Sequence, residues 1–340
     1  MYTELIMIIL GISLILYIIL GGADFGAGII EIFTGDKGNT TVSKAMAPVW
    51  EANHMWLVIG VVILFNGFPK VYTILSTNLH IPVLTFLLAI VLRGTAFTFR
   101  HYDAYHDDSQ KLYSTIFRYS SLIAVFFLGV TVSAFFSGTI PSSNTGTFLE
   151  QYIHPWFNWF SCSIGLFLVA LSAYIAAIFL LGEVTTNDGY ALLKKFIARL
   201  FVFSAVCGAF IFIISYCSDL AFHTLFINHP LSIACVCFAT VIVPSIFKFI
   251  NDKKIWSMRI ATGAQVVLIM FGWFFIQWPN FVIFSDLTAL SMYDAAAPIA
   301  SMKVLFIALA VGVVIIFPSL YYLFRLFKME DNMSKESIER

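Results

Sequence analysis

Charge is what this sequence has least of. Of its 340 residues only 19 are Lys or Arg and 19 are Asp or Glu, an 11% charged fraction in a chain that is 60% hydrophobic. A water-soluble domain carries about 25%. With no basic excess there is no electrostatic footprint for nucleic acid, and with so little polarity there is no disordered regulator. The five cysteines, Cys162, Cys207, Cys217, Cys235 and Cys237, form no CxxC pair and no zinc-type spacing. They sit in or near apolar runs as small hydrophobes, which excludes a disulfide-stapled secreted module. There is no nucleophile triad, no HExxH, no phosphate-binding glycine loop and no dinucleotide fingerprint, so the chain alone displays no complete active site. Histidine is thin as well. His54 and His80 fall near span ends, the other five read as loop or boundary residues, and no pair shares an inward position, so no haem or metal ligation by this chain is expected.

What the sequence has is long apolar runs. A hydrocarbon core of about 30 Å takes about 20 helical residues to cross. Nine runs reach that length: Leu5 to Glu31, Val49 to Gly67, Asn78 to Phe99, Thr115 to Phe136, Phe157 to Leu181, Arg199 to Tyr216, Leu231 to Ile250, Ile260 to Gln277 and Met302 to Phe324. Their length and lack of alternation predict helices rather than barrel strands, giving an all-α polytopic membrane protein. A short turn from Asn66 to Pro69 is expected between the second and third spans. The first run has no basic flank before it and reads as a resident helix, not a cleaved signal. Trp156, Trp159, Trp256, Trp278, Tyr321 and Tyr322 fall near span ends, as an interfacial belt does. Residues 1–328 read as one transmembrane unit and 329–340 as a polar cytoplasmic tail.

Lys and Arg set the direction. With the amino terminus outside, sixteen of the nineteen basic residues fall on the inner side, two outside (Lys70 and Lys303) and one, Arg93, inside a span. One missed helix would invert every later loop. The sequence therefore predicts amino terminus out and carboxyl terminus in.

Ionisable residues within spans are costly and mark function by default. Asp24 lies about 28 Å along the first helix, towards its inner end. Glu51 and His54 occupy one face of the first turns of the second helix, and Arg93 lies near the inner end of the third. Three helices thus place Asp24, Glu51, His54 and Arg93 at one depth. Two carboxylates, an imidazole and a guanidinium fit a proton-accepting cluster at an intramembrane vestibule; a purely structural pairing of Arg93 with Asp24 or Glu51 is the plainer alternative. Around Asp24, Gly22 and Gly26 make a GxxxG spacing that allows close helix approach.

The runs YIILGGADFGAGI from Tyr17, APVWEANHMWLV from Ala47 to Val58, LRGTAFTFR from Leu92 to Arg100, and the late WPNF and YDAAAP resemble subunit II of cytochrome bd quinol oxidase. The resemblance extends from about Tyr17 to Lys328. It departs at Thr98, where the family often has glutamate. It implies nine spans arranged as two four-helix bundles plus a peripheral helix, in a terminal oxidase of the prokaryotic inner membrane that oxidises quinol and reduces O2 to water. Haem b and haem d are implied on a partner, subunit I, with this chain binding no haem itself. The resemblance leaves room for a small single-span accessory subunit and for a quinone or lipid at the surface. Carried over by position, Glu51 stands at the mouth of a proton path, Asp24 at the acid of the glycine motif, and Trp56 beside oxygen access.

A secondary transporter coupled through the acid cluster is the alternative from another class. Such proteins bind near midplane with broken helices and repeats, whereas these acids lie near one face. A structural subunit that merely holds its partner is a third reading. The orientation is checked with reporter fusions after Asn144 and after Lys253. These should report opposite sides, Lys253 cytoplasmic; the same side for both would remove the nine-span reading.

Overall fold

A helix that is apolar on every side gains nothing by presenting a face to water, and most helices here are of that kind. The computed structural model describes residues 1–35, 39–102, 109–142, 146–184 and 187–338, with the side chains at 39–52, 101–102, 187–188, 320–321 and 323–338 outside that description. In chain order the first half contains α1 (Tyr2–Thr34), α2 (Asn39–Gly67), α3 (Pro69–Thr77), α4 (His80–Tyr102), α5 (Ser109–Ala134) and α6 (Phe148–Tyr152). The second half contains α7 (Trp159–Leu181), α8 (Asn187–Cys217), α9 (Phe222–Asn228), α10 (Pro230–Asn251) and α11 (Ile255–Gln277). A small hairpin, β1 (Asn280–Ile283) and β2 (Ala289–Ser291), leads through α12 (Met292–Ala295) into α13 (Ile299–Ile338). Among the described residues eight helices are long and apolar enough to cross a membrane, or nine if the bent pair Asn53–Gly67 with Pro69–Thr77 is counted as one span.

Helices α1, α2, α4 and α5 form one bundle and α7, α8, α10 and α11 a second, while α13 lies outside them against α2 and α1. Helix α7 joins the two bundles by packing on both α1 and α5, and it is buried along most of its length. Small residues permit that junction. A Cβ on Gly26 would overlap the carbonyl oxygen of Ser172 in α7, and one on Gly129 of α5 would come within 2.8 Å of the Gly165 Cα. The GxxxG reading of Gly22 and Gly26 is therefore met by α7, since Gly22 faces Ile175 and Gly26 faces Ser172 and Ala176. Elsewhere apolar side chains point outward, among them Leu84, Leu88 and Val91 on α4, Val206 and Phe210 on α8, and Val311 and Val314 on α13, as lipid contact demands.

The turn expected from Asn66 to Pro69 is present at Phe68, but a short helix follows it before the third span. After Gly67 the chain bends by 112° into α3, a nine-residue helix started by Pro69 at its first turn. Its Thr73, Ser76 and Thr77 hydroxyls donate back to carbonyls one turn earlier, which suits a helix lying across the bundle end rather than through it. Helix α8 also begins well before the expected Arg199, at Asn187.

The two long connections at that end are linked. Ile140 bridges Phe284, the Ile283 amide donates to the Phe135 carbonyl at 2.9 Å and the Ser285 amide to Ile140 at 2.9 Å. Lys70 Nζ donates to the Asp294 carbonyl at 2.7 Å, and the Ala297 amide donates to the Gly67 carbonyl at 2.8 Å. Hydrogen bonds from Thr288 and Ser142 hold the exposed Asp286 carboxyl below the usual range. The hairpin thus ties the α2–α3 corner to the segment after α5. The hairpin strands, four and three residues long, are too short to leave a readable period in the sequence.

Candidate functional site: a buried charge ladder

Arg93 is the largest of the fully buried side chains, 1% exposed. Helix α4 carries it inward to Asp24 of α1, also 1% exposed. The guanidinium grips the carboxylate with both ends, Nη2 to Oδ1 at 2.6 Å and Nη1 to Oδ2 at 2.9 Å. Nη2 also donates to the Asp24 carbonyl at 2.9 Å, and Nε donates to Ser121 Oγ of α5 at 2.8 Å. The Ser121 hydroxyl in turn donates to the Phe117 carbonyl at 2.6 Å. The rings of Phe25 and Phe117 lie 4.8 and 4.7 Å from the guanidinium carbon, which adds cation–π attraction in a dry setting. The pair therefore meets the condition under which a buried salt bridge persists: bidentate geometry with the remaining donors satisfied.

A second rung repeats the first one heptad on. Glu31, fully buried on α1, receives Arg100 Nη1 at 2.8 Å, with Arg118 Nε of α5 at 3.7 Å. Asp24 and Glu31 are seven residues apart, as are Arg93 and Arg100, so both rungs join positions 69 apart in sequence. A constant offset requires α1 and α4 to run parallel, and the rungs are about 10 Å apart along the axes. Phe117 is shared, since Arg100 lies 4.3 Å over the ring that Arg93 also faces.

Helix α2 borders the upper rung. Asn53 lies against Gly21 of α1, its Oδ1 3.0 Å from where a Cβ would stand. His54, half-buried, interacts electrostatically with Asp24 and Arg93. Glu51 belongs to the same helix one turn earlier, with its side chain outside the described residues. Trp56 is 8% exposed and meets Phe317 of α13 edge-on at 6.3 Å between centroids. Of the five residues singled out from sequence, Asp24, Arg93 and His54 come together, and Trp56 is separate from them at the α2–α13 contact. Thr98 is exposed and bonds its own helix at the Gly94 carbonyl, 2.9 Å away.

Sequence reasoning missed Glu31, Ser121 and Asn53 and left Arg100 and Arg118 among loop cations. For Glu31 and Arg100 the signal was present as spacing: an acid pair at i, i+7 on one span and an arginine pair at i, i+7 on a parallel one. Among the described residues no group of three or more His, Cys, Asp or Glu is arranged to hold a metal. His80 is taken by the Thr77 carbonyl at 2.7 Å, His223 by Ser215 at 3.2 Å and His229 by Ser232 at 3.3 Å. Each of these contacts is made through the Nδ1 atom of the imidazole.

Known proteins share both sequence and architecture with it. The sequence model of the cytochrome bd terminal oxidase subunit II family matches residues 2–327. Cytochrome bd ubiquinol oxidase subunit 2 of Bacillus subtilis (strain 168) is 28% identical over 313 residues, 90% of this chain and 89% of that protein. Cytochrome bd-I ubiquinol oxidase subunit 2 of Escherichia coli (strain K12) is 26% identical over 95 residues, 27% of this chain and 25% of its own length. The solved bd oxidase of Geobacillus thermodenitrificans contains a chain with the same fold at a TM-score of 0.77 and 20% identity, covering 96% of this chain and 98% of that one. Nothing in these likenesses supports the transporter alternative.

Replacing Arg93 by Gln would leave Asp24 charged and unpaired in a dry site, at a cost of about 3–5 kcal/mol. Arg93→Lys should rescue little, because an ammonium cannot span both carboxylate oxygens and Ser121 together. Yield of the assembled protein and its melting temperature in detergent are the readouts; Arg93→Gln melting like the parent would show that the pair is dispensable.

Proposed function

Because the chain belongs to the cytochrome bd terminal oxidase subunit II family, we propose that it serves a quinol oxidase by taking up protons from the cytoplasm for oxygen reduction on a subunit I partner. Haem b and haem d of that partner supply the redox chemistry. The residues of this chain handle protons and access. Glu51, twelve residues after the start of α2 at Asn39 rather than in its first turns, accepts protons, His54 passes them on, and the Asp24–Arg93 pair supplies the fixed field in which both work. Trp56, packed under α13, flanks the route by which oxygen reaches the partner. Quinol is oxidised on the partner. A small single-span accessory subunit and a surface quinone or lipid complete the assembly in the inner membrane, with the carboxyl terminus inside.

The observation that carries this reading is the position of His54 within the field of a buried, fully clamped ion pair. Both Asp24 oxygens are engaged by Arg93, so Asp24 acts as a fixed charge more readily than as a proton store. Glu51 and His54, three residues apart on one helix face, remain as the exchanging groups. A proton relay of this kind contributes through positioned acids and bases in hydrogen-bond or single-water reach.

Glu51→Gln should slow steady-state quinol oxidation by about tenfold or more while the complex and its haem spectrum remain intact. Glu51→Asp should cost less, since a shorter carboxylate still exchanges through water. Full turnover in Glu51→Gln would reduce the acid to a structural charge.

A further inference from the structure

Three buried polar atoms beside the upper rung have no role in the ladder. Asn53 is fully buried, and neither its Oδ1 nor its Nδ2 meets a partner among the described residues. Tyr17, 2% exposed, likewise holds its hydroxyl without a partner there. The two are placed along one stripe of α1. Tyr17, Gly21 and Asp24 follow at i, i+4 and i+7, Asn53 lies flat on Gly21 with its Nδ2 3.2 Å from a Cβ position there, and Tyr17 interacts electrostatically with Asp24 and Arg93. Tyr17 also borders a small cavity between α1, α5 and α7, walled by Gly22, Phe25, Val125 and Ser172. An amide and a phenol withdrawn from solvent are costly unless something bonds them, and buried polar groups of this kind are satisfied by ordered water that makes two to four bonds.

We propose that Asn53 and Tyr17 hold ordered water on the α1 stripe beyond Asp24, and that this water carries protons from His54 deeper into the bundle. The inference rests on the proton-uptake reading above and extends it by about 10 Å, the rise of α1 between Asp24 and Tyr17. Gly21 is the enabling position. A side chain there would meet Asn53 at 3.0 Å and fill the space in which the amide faces α1. Asn53 and Tyr17 act as positioning residues: each holds water by a neutral group, and neither needs to change its own charge for a proton to pass along the water.

Two variants of the assembled complex test this. Tyr17→Phe removes one hydroxyl and keeps the ring against Phe25, and Asn53→Leu removes the amide at similar volume. Each should slow quinol oxidation about tenfold, enlarge the solvent deuterium effect on turnover, and abolish the H218O-sensitive water bands in infrared difference spectra, with the haem spectrum unchanged. Asn53→Ser, which keeps a hydroxyl and room for water, should recover most of the rate. Should Asn53→Leu fail to assemble, Tyr17→Phe decides alone. Full turnover and unchanged water bands in Tyr17→Phe, with Glu51→Gln slow, would overturn the relay and leave the uptake reading standing. Full turnover in both would overturn both.

Discussion

A guanidinium and a carboxylate, each 1% exposed, meet at 2.6 Å inside a bundle with few other charges. Neither could be buried alone, because an isolated ion in such a medium is unaffordable and a neutral neighbour cannot replace the lost hydration. Their pairing therefore constrains everything around it. Helix α4 must run parallel to α1 at a fixed offset, α5 must bring Ser121 to Arg93 Nε, and Phe25 and Phe117 must close over the guanidinium. The glycines follow from the same demand. At Gly28 a side chain would strike Ser121, and at Gly26 it would strike the backbone of α7. Glu31 with Arg100 and Arg118 then repeats the solution at the next heptad, where the arginines are less enclosed.

The second bundle shows what happens where, among the described residues, no such buried pair is found. At its centre Tyr174 donates to Gln265 Oε1 at 3.2 Å, and Gln265 reaches the Ala239 carbonyl at 3.4 Å, a neutral contact with no ionic demand. Among the described residues an ion pair appears at its end, where Arg259 joins Glu183 at 2.8 Å and donates to the Phe179 carbonyl at 2.7 Å, with Glu183 43% exposed. Among the described residues, buried ion pairs are thus concentrated in the first bundle, on α1, α4 and α5, and α7 couples that bundle to the more apolar half.

Much of this was legible in the sequence, for a physical reason: in a hydrocarbon medium a run of apolar residues and a lone charge are both unambiguous. The spans, the two-helix approach at Gly22 and Gly26, and the convergence of Asp24, His54 and Arg93 all rest on that contrast. Glu31 and Arg100 were missed because they lie where spans end, and there a charge reads as a loop residue unless the heptad spacing to Asp24 and Arg93 is noticed. Helix α3 was hidden by its polar composition, and the hairpin at 280–291 by strands too short to show a period. Asn53 carries no charge, so nothing in its letter distinguished it from a capping or boundary residue. Only its full burial against Gly21 does.

The central claim is that Asp24 and Arg93 act as one buried unit whose charges are tolerable only together. A double-mutant cycle on the assembled complex tests it: Asp24→Asn, Arg93→Gln and the two combined, each followed by melting temperature and complex yield. Removing both charges leaves no uncompensated ion, so the combined variant should recover at least half of the stability lost in Arg93→Gln alone. A combined variant as unstable as the sum of the two single changes would contradict the claim, because the residues would then support the fold independently.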